Sequence, residues 1–451
     1  CPDKFTEMNR QILRIALPNI VSNITVPLMG LVSTAVAGRV GSDSALTIGA
    51  LQIGVTIFNF IYWNCSFIRM GTSGLTAQAY GAGDNRLCSL MLWRAVVVAA
   101  GVGLLALLLQ YPIGEMSVAA MGGSSAQQQN MIREYFYMRI WAVPAGIMLF
   151  AMNGWLTGMQ NAVVPMAVAI TVNTIHIAGS YIFSIVGSMG LTGIALASVV
   201  AQWTGVAVMV VIIVWRFRSR LVRVPLSEVM DMAQMTRFFR INVDIMIRTL
   251  CIVAVYTFFT AASARTGDNT LLAVNTLLLQ LFTLFSYMND GFAYAAEALT
   301  GRFIGARDGL SLRRCIRLCI VWCAVVSIVF VGVYIGWWRD ILSMIVNPES
   351  GDIEQILTLA ESYIGWIIAI PIAASMPFVM DGIMVGATRS RIMRDSMLLS
   401  TLGYFAIYFG LHSLIGNNAL WCAFTMYMLL RGVLQWIMSH RLREIYSAAN
   451  G

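Results

Sequence analysis

Twelve stretches of this sequence are long and apolar enough to cross a lipid bilayer as helices. A helix needs roughly 20 apolar residues to span about 30 Å of hydrocarbon. Because a bilayer offers no water to the backbone, such segments fold as helices whose amide groups bond internally. The windows lie near residues 12–38, 45–71, 88–112, 134–157, 162–186, 191–215, 241–263, 271–297, 316–338, 356–384, 396–416 and 419–438. The sequence therefore predicts an all-α integral membrane protein with twelve transmembrane helices.

The distribution of charge predicts the orientation of these helices. Only 11% of the 451 residues are charged, and most of the 29 Lys and Arg residues fall in loops on one predicted side. Positive residues accumulate in cytoplasmic loops during insertion. Both termini are therefore expected in the cytoplasm, and a bacterial inner membrane is the expected location. Since this asymmetry explains the net charge of +8, no nucleic-acid partner is expected.

The second half of the chain repeats polar motifs of the first half. LTAQAYGAGD at residues 75–84 is echoed by LTGRFIGARD at residues 299–308, and NGWLTG at 153–158 by DGIMVG at 381–386. We divide the chain into an N-terminal six-helix lobe (1–215), a cytoplasmic linker loop (216–240) and a C-terminal six-helix lobe (241–451). Because six is even, both lobes enter the membrane in the same direction, and their pseudo-two-fold axis should follow the membrane normal.

Other local features point to no processing signal, metal centre or enzyme. The first apolar segment is as long as a span and contains Pro18 and Pro27, so no cleavable signal is expected, and the lack of an initiator Met suggests a trimmed start. Cys315, Cys319 and Cys323 share a helix face, but no histidine lies near them in sequence, so helix packing is favoured over a metal site. No cofactor is expected, and no catalytic motif indicates an enzyme.

Acidic residues inside spans are the most informative polar groups. An ionisable side chain within a span costs about 2.5 to 3.5 kcal/mol on insertion scales, so each one needs a partner, water or a function. The ion-coupling candidates all lie in the C-terminal half: Asp244, Asp290, Glu297 and Asp381. Asp290 is the strongest, because it is about 10 Å of helix further from the cytoplasmic end than Glu297 and approaches the midplane.

Simpler roles are open for the other three acids. Asp244 and Arg248 are spaced i, i+4 on one helix, so an intrahelical ion pair is an alternative to coupling. Glu297 and Asp381 are expected to join Arg302 or Arg389 in a network that holds the cytoplasmic side shut.

In the N-terminal half the polar residues within spans are mainly neutral. Asn59, Asn153, Asn173 and His176 are candidates for the substrate cavity. Asn173 and His176 fall on one face of span five, and His176 could titrate near neutrality or simply bond between helices. Pro18 removes a backbone donor and is expected to bend span one.

These motifs resemble a known transporter family. The repeated loops, GLVSTAVAGRVG at residues 30–41, WNCSFIRMGTSG at 63–74 and DGIMVGAT at 381–388 are similar to those of the multidrug and toxic compound extrusion (MATE) family. They look most like its DNA-damage-inducible protein F branch. The resemblance implies a V-shaped pair of six-helix lobes, alternating access, and export of organic cations against an inward flow of protons or sodium.

One position departs from the family pattern. The family usually carries an aspartate in span one, fifteen residues after the bending proline, and here Ser33 holds that position relative to Pro18. Serine does not titrate in a useful range, so the family's protonation step is lacking, is moved to the C-terminal carboxylates, or was removed by alteration. No acid stands where the sodium-coupled branch would place its carboxylates, so protons are preferred over sodium.

The sequence thus favours a secondary active antiporter that exports amphipathic, often cationic small molecules in exchange for protons, acting as a monomer in the bilayer. Two alternatives stay open. Arg248, which we include among the cavity candidates with Ser33, and Arg139 could bind anions and indicate export of organic acids such as carboxylates or phenolics. A flippase for lipid-linked sugars could share the two-lobe plan.

Overall fold

The computed structural model describes residues 2–40, 43–121, 125–345, 353–440 and 442–448. Within these ranges every regular element is helical. The helices are α1 (Pro2–Ala37), α2 (Ser44–Cys65), α3 (Phe67–Gly81), α4 (Asn85–Leu108), α5 (Gln110–Met121), α6 (Ala126–Arg139), α7 (Val143–Gly158), α8 (Val163–Tyr181), α9 (Leu191–Arg216), α10 (Leu226–Val229), α11 (Met232–Arg265), α12 (Asn269–Gly305), α13 (Gly309–Ile345), α14 (Ile353–Glu361), α15 (Ile364–Gly386), α16 (Ser390–Ile415), α17 (Asn418–Met438) and α18 (Arg443–Ala448).

Twelve helical segments of the described chain are long and apolar enough to cross a membrane, which confirms the predicted number of spans. Some spans join two helices. The second span, Ser44–Gly81, combines α2 and α3 and runs ten residues beyond its predicted end at 71. The tenth span begins at Ile364 rather than near 356, because residues 353–361 form the separate helix α14.

Aspartates begin several of these helices. Asp84 accepts a hydrogen bond from the Leu87 backbone N–H at 2.9 Å, and Asp308 accepts one from the Ser311 N–H at 3.0 Å. Each bond satisfies a donor that the first helical turn leaves without an internal partner. Hydrogen bonding by Ser311 also lowers the pKa of the Asp308 carboxyl below its usual range. Both aspartates are the last residue of the repeated ten-residue motif. The repeat in sequence therefore corresponds to the same structural feature in both halves, the start of a helix.

The backbone follows the internal repeat as well. Left-handed conformations recur at corresponding places in the two halves: Gly83 (φ 72°) and Arg307 (φ 53°), Gln160 (φ 63°) and Thr388 (φ 54°), and Gly190 (φ 63°) and Gly416 (φ 55°). Few residues other than glycine adopt positive φ. Shared turns of this uncommon kind show that the two halves are built on the same local plan.

Contacts between Cα atoms divide the chain into two compact units. The N-terminal unit is Pro18–Asn242, and the C-terminal unit is Val243–Gly451 together with Cys1–Leu17. The first turns of α1 therefore group with the C-terminal unit, whereas the sequence-based division assigned them to the N-terminal lobe. The change falls at Pro18, the residue expected to bend span one.

The segment that we predicted as a linker loop is partly helical and is attached to the N-terminal unit. It contains α10 and the beginning of α11. Arg94 of α4, which is 3% exposed, donates to the carbonyl oxygens of Glu228 at 2.9 Å and Val229 at 3.2 Å. The Ser89 hydroxyl accepts a bond from the Val222 N–H at 2.9 Å. These buried contacts hold the linker on the end of α4.

Glycines allow one helix pair in each unit to touch backbone to backbone. A Cβ added to Gly154 of α7 would lie 2.3 Å from the Arg69 carbonyl oxygen of α3. In the C-terminal unit, a Cβ on Gly382 of α15 would lie 2.2 Å from the Ala293 carbonyl oxygen of α12. Small residues permit such close approach between membrane helices. The repeated glycine motifs thus encode equivalent helix crossings.

Candidate substrate and ion-coupling sites

A buried imidazole connects three helices of the N-terminal unit. His176 of α8 is 5% exposed, and its Nε2 lies 3.0 Å from the Ser33 hydroxyl of α1. Its Nδ1 lies 3.2 Å from the Ser198 hydroxyl of α9. A hydroxyl can donate or accept, so both ring nitrogens are satisfied in either neutral tautomer. The structure therefore brings together the predicted residues Ser33 and His176, and it adds Ser198.

A second polar contact joins the same two helices. The Asn173 amide, one turn from His176 on α8, donates to the Thr25 hydroxyl of α1 at 2.7 Å. The predicted shared face of Asn173 and His176 is thus present, and α1 is bonded to α8 on both sides of Pro27. Among described residues, no hydrogen bond links Asn59 or Asn153 to this cluster. Asn59 is exposed on α2, and Asn153 is half-buried on α7 beside the glycine crossing.

A half-buried arginine lies among aromatic rings in the N-terminal unit. The guanidinium carbon of Arg139 is 4.9 Å from the centroid of the Phe58 ring and 5.5 Å from that of Tyr135. The guanidinium also donates to the Tyr135 hydroxyl. Because a ring face attracts a cation within about 6 Å, Phe58 and Tyr135 stabilise the charge inside the span.

Asp244 of α11 is held by two residues of α16. Its Oδ1 lies 2.6 Å from Nη1 of Arg394, and its Oδ2 accepts a 2.8 Å hydrogen bond from the Ser390 hydroxyl. The Asp244 side chain is only 4% exposed. The carboxylate therefore pairs with an arginine of another helix, α16.

Asp381 of α15 is the centre of a buried charged cluster. Its Oδ2 lies 2.6 Å from Nη2 of Arg248 and 2.9 Å from Nη2 of Arg431. Its Oδ1 accepts a 2.6 Å hydrogen bond from the Gln435 amide. The side chains of Asp381 and Arg431 are 7% and 5% exposed. One carboxylate thus connects α15 to α11 and α17.

This cluster corrects one prediction. We expected Asp381 to join Arg302 or Arg389, and that was wrong, because its carboxylate pairs with Arg248 of α11 and Arg431 of α17. Arg431 and Gln435 were missed as partners. The charge balance within the spans could have identified Arg431, since an intramembrane carboxylate requires a nearby cation.

Asp290 and Glu297 lie on one face of α12, because seven residues are close to two helical turns. Glu297 is 1% exposed, and Asp290 is half-buried. Tyr256 of α11, Tyr287 of α12 and Cys323 of α13 are within electrostatic reach of the Asp290 carboxylate. Asp290 therefore lies inside the C-terminal unit among phenol and thiol groups.

The three cysteines on α13 are buried, and Sγ of Cys315 and Sγ of Cys319 are 4.0 Å apart. Within the described ranges, no group of three or more His, Cys, Asp or Glu side chains could hold a metal ion.

Twelve apolar spans, an internal repeat and charged side chains buried within the spans define a multi-pass membrane transporter. A profile of the MatE family matches residues 18–182 and 245–411, one block in each half. The chain belongs to the MatE family and is an efflux transporter of that family, not an enzyme. It accordingly binds small-molecule substrates within the membrane.

Similar proteins extend over nearly the whole chain. DNA damage-inducible protein F of Escherichia coli is 33% identical over 434 residues, which cover 96% of this chain and 92% of that protein. A probable multidrug resistance protein NorM of Synechococcus is 22% identical and covers 91% of this chain and 88% of its own length. The crystal structure of the Vibrio cholerae MATE transporter VcmN matches with a TM-score of 0.85 at 16% identity, covering 98% of this chain and 99% of that one. The fold is therefore that of the MATE transporters.

Proposed function

We propose that this protein is a secondary antiporter that exports amphipathic, often cationic organic compounds in exchange for protons. The observation that carries the proposal is Asp290, a half-buried carboxylate within a span of the C-terminal unit. A carboxylate at such depth is costly and is retained where it has a function. No acid stands where the sodium-coupled branch of the family would place its carboxylates, so we prefer protons to sodium as the coupling ion.

Two of the other candidate acids, Asp381 and Asp244, are held in ion pairs. Proton uptake by Asp381 would disrupt ion pairs to both Arg248 and Arg431, and uptake by Asp244 would disrupt its ion pair to Arg394. Breaking a buried pair from one side costs about 3 to 5 kcal/mol, because it leaves a charge uncompensated. These two acids therefore suit a structural role better than a coupling role.

Replacing Asp290 with Asn should abolish efflux driven by a pH gradient, because the amide cannot take up and release a proton. Purified protein in liposomes, an imposed pH gradient and a fluorescent organic cation provide the measurement. Asp268→Asn is a matched control on the same helix: Asp268 caps α12, and Asn caps a helix about as well. Efflux by Asp290→Asn at the rate of the Asp268→Asn control would remove Asp290 from the mechanism.

Placing an aspartate at position 33 should alter the pH dependence of transport. Its carboxylate would replace the Ser33 hydroxyl, which lies 3.0 Å from the imidazole of His176, and would add a titrating carboxyl to span one. The efflux rate of Ser33→Asp against pH should then show an additional inflection. Ser33→Asn is the neutral control of the same shape, and identical profiles for the two variants would contradict the prediction.

We place the protein as a monomer in a bacterial inner membrane, with both termini in the cytoplasm. The concentration of arginines in loops on one predicted side supports this placement. The similarity to an Escherichia coli protein is consistent with a bacterial membrane. A reporter fused to the C-terminus that fluoresces only in the cytoplasm would test the orientation.

A further inference from the structure

The Arg431 guanidinium has more hydrogen-bond donors than its surroundings satisfy. Its Nη2 donates to Oδ2 of Asp381 at 2.9 Å, and its Nη1 faces the Met428 sulfur at 3.4 Å. Within the described residues, its buried Nε has no acceptor. A thioether is a weak acceptor, and a buried donor left unpaired costs about 1 to 3 kcal/mol, more when the group is charged. Arg431 therefore presents unmet donors inside the C-terminal unit.

Asp381 does not accept hydrogen bonds from the remaining donors of Arg431, because its two oxygens also accept from other residues. Arg248 Nη2 lies 2.6 Å from the same Oδ2 that Arg431 uses, and Gln435 Nε2 donates to Oδ1 at 2.6 Å. An arginine and a carboxylate with no competitor commonly pair through two parallel hydrogen bonds. Arg431 makes only one bond to Asp381, so part of its planar donor edge has no acceptor among the described residues.

Aromatic side chains complete the surroundings of this arginine. The guanidinium carbon of Arg431 is 5.5 Å from the centroid of the Tyr427 ring, and the Tyr256 phenol is within electrostatic reach. The Arg431 side chain is 5% exposed, so a ligand here would be removed from bulk water, where charge-assisted hydrogen bonds are strong. A cation with a planar donor edge beside phenol rings suits an aromatic carboxylate.

We propose that Arg431, with Arg248 and Asp381, forms a binding site for a monovalent anion, either the carboxylate of an aromatic substrate or chloride. The anion supplies acceptors to Arg431, and together with the Asp381 carboxylate it balances the positive charges of Arg248 and Arg431. This site uses residues other than Asp290, the group proposed above for proton coupling, although the Tyr256 phenol is within electrostatic reach of both. If a carboxylate is the ligand, the site would let the transporter bind compounds that carry one. If chloride is the ligand, the site would make the transporter depend on chloride.

Thermal unfolding of the purified protein in detergent tests the site without measuring transport. Sodium chloride or sodium benzoate is titrated into a chloride-free sulfate buffer at constant ionic strength, and Tm is followed by tryptophan fluorescence. A ligand that binds only the folded state stabilises it, so Tm should rise saturably by about 2 °C or more. No saturable rise with either anion, as expected if ordered water alone satisfies Arg431, would overturn the proposal.

Three variants separate this site from general salt effects. Arg431→Gln should lose the anion-dependent rise in Tm. Asp381→Asn should show a larger rise at lower anion concentration, because the competing carboxylate is gone. Arg394→Gln makes the same change in the half-buried ion pair to Asp244 and should keep the parental rise. An equal response of Arg431→Gln and Arg394→Gln would overturn the assignment, and the anion titration of the unaltered protein decides the question even if Arg431→Gln or Asp381→Asn fails to fold.

The two anions distinguish the source of the ligand. If the carboxylate of a substrate is the ligand, liposomes containing the protein should export labelled benzoate, and Arg431→Gln should abolish this export. If chloride is the ligand, chloride should raise Tm while benzoate export stays at background. In either case Asp290→Asn should keep the anion-dependent rise in Tm. The anion site can therefore be tested even in a variant that has lost proton coupling.

Discussion

Replacing Asp381 with Ala should lower the free energy of unfolding by about 3 to 5 kcal/mol, because it leaves the Arg431 guanidinium buried without a carboxylate. The same change removes the partner of Arg248 at 2.6 Å and the acceptor of the Gln435 amide. Three helices lose their common contact, and the measurable result is a marked fall in Tm and in the yield of folded protein from the membrane.

Two further variants show whether the loss comes from uncompensated charge. Asp340→Ala, at an exposed position on α13, should change stability by no more than about 0.5 kcal/mol. Asp381→Ala combined with Arg431→Leu should recover part of the loss, because a buried cation is removed together with its partner. If Asp381→Ala matches Asp340→Ala in stability, the cluster does not hold α15 to α11 and α17.

The properties that sequence predicted well are local. Each span corresponds to one continuous stretch of apolar residues, so the number of spans could be predicted from hydropathy alone. The motifs ending at Asp84 and Asp308 likewise specify a helix start within a few residues. The boundaries were less certain, since α14 is continuous in hydropathy with the tenth span and a window cannot locate the break between them.

The partners of the buried charges could not be read in the same way. Asp381 and Arg431 are far apart in sequence, and their contact depends on how α15 and α17 are rotated about their axes. Spacing alone suggested an ion pair between Asp244 and Arg248, yet Asp244 reaches Arg394 and Arg248 reaches Asp381. Contact between Ser33 and His176 likewise requires α1 to pack against α8 in one register. Sequence therefore identified most of the polar residues but few of their partners.

Alanine at Gly154 or Gly382 should destabilise its unit by about 3 kcal/mol, although the change adds a single methyl group. The new Cβ would lie 2.3 Å from the Arg69 carbonyl oxygen in the first case and 2.2 Å from the Ala293 carbonyl oxygen in the second. No rotamer change relieves a clash between a Cβ and a backbone oxygen, so the two helices must separate. Tm and efflux should fall in both variants.

Control glycines should respond in the opposite direction, because in an open helix position alanine is favoured over glycine by about 0.5 to 1 kcal/mol. Gly101 of α4 and Gly410 of α16 have no atom within 4 Å of an added Cβ. Gly101→Ala and Gly410→Ala should therefore leave Tm unchanged or raise it. Unchanged Tm in both Gly154→Ala and Gly382→Ala would show that the close crossings are dispensable. If only one of the two variants is destabilised, the close helix crossing is required for stability in that unit alone, although the two glycines occupy corresponding positions of the repeat.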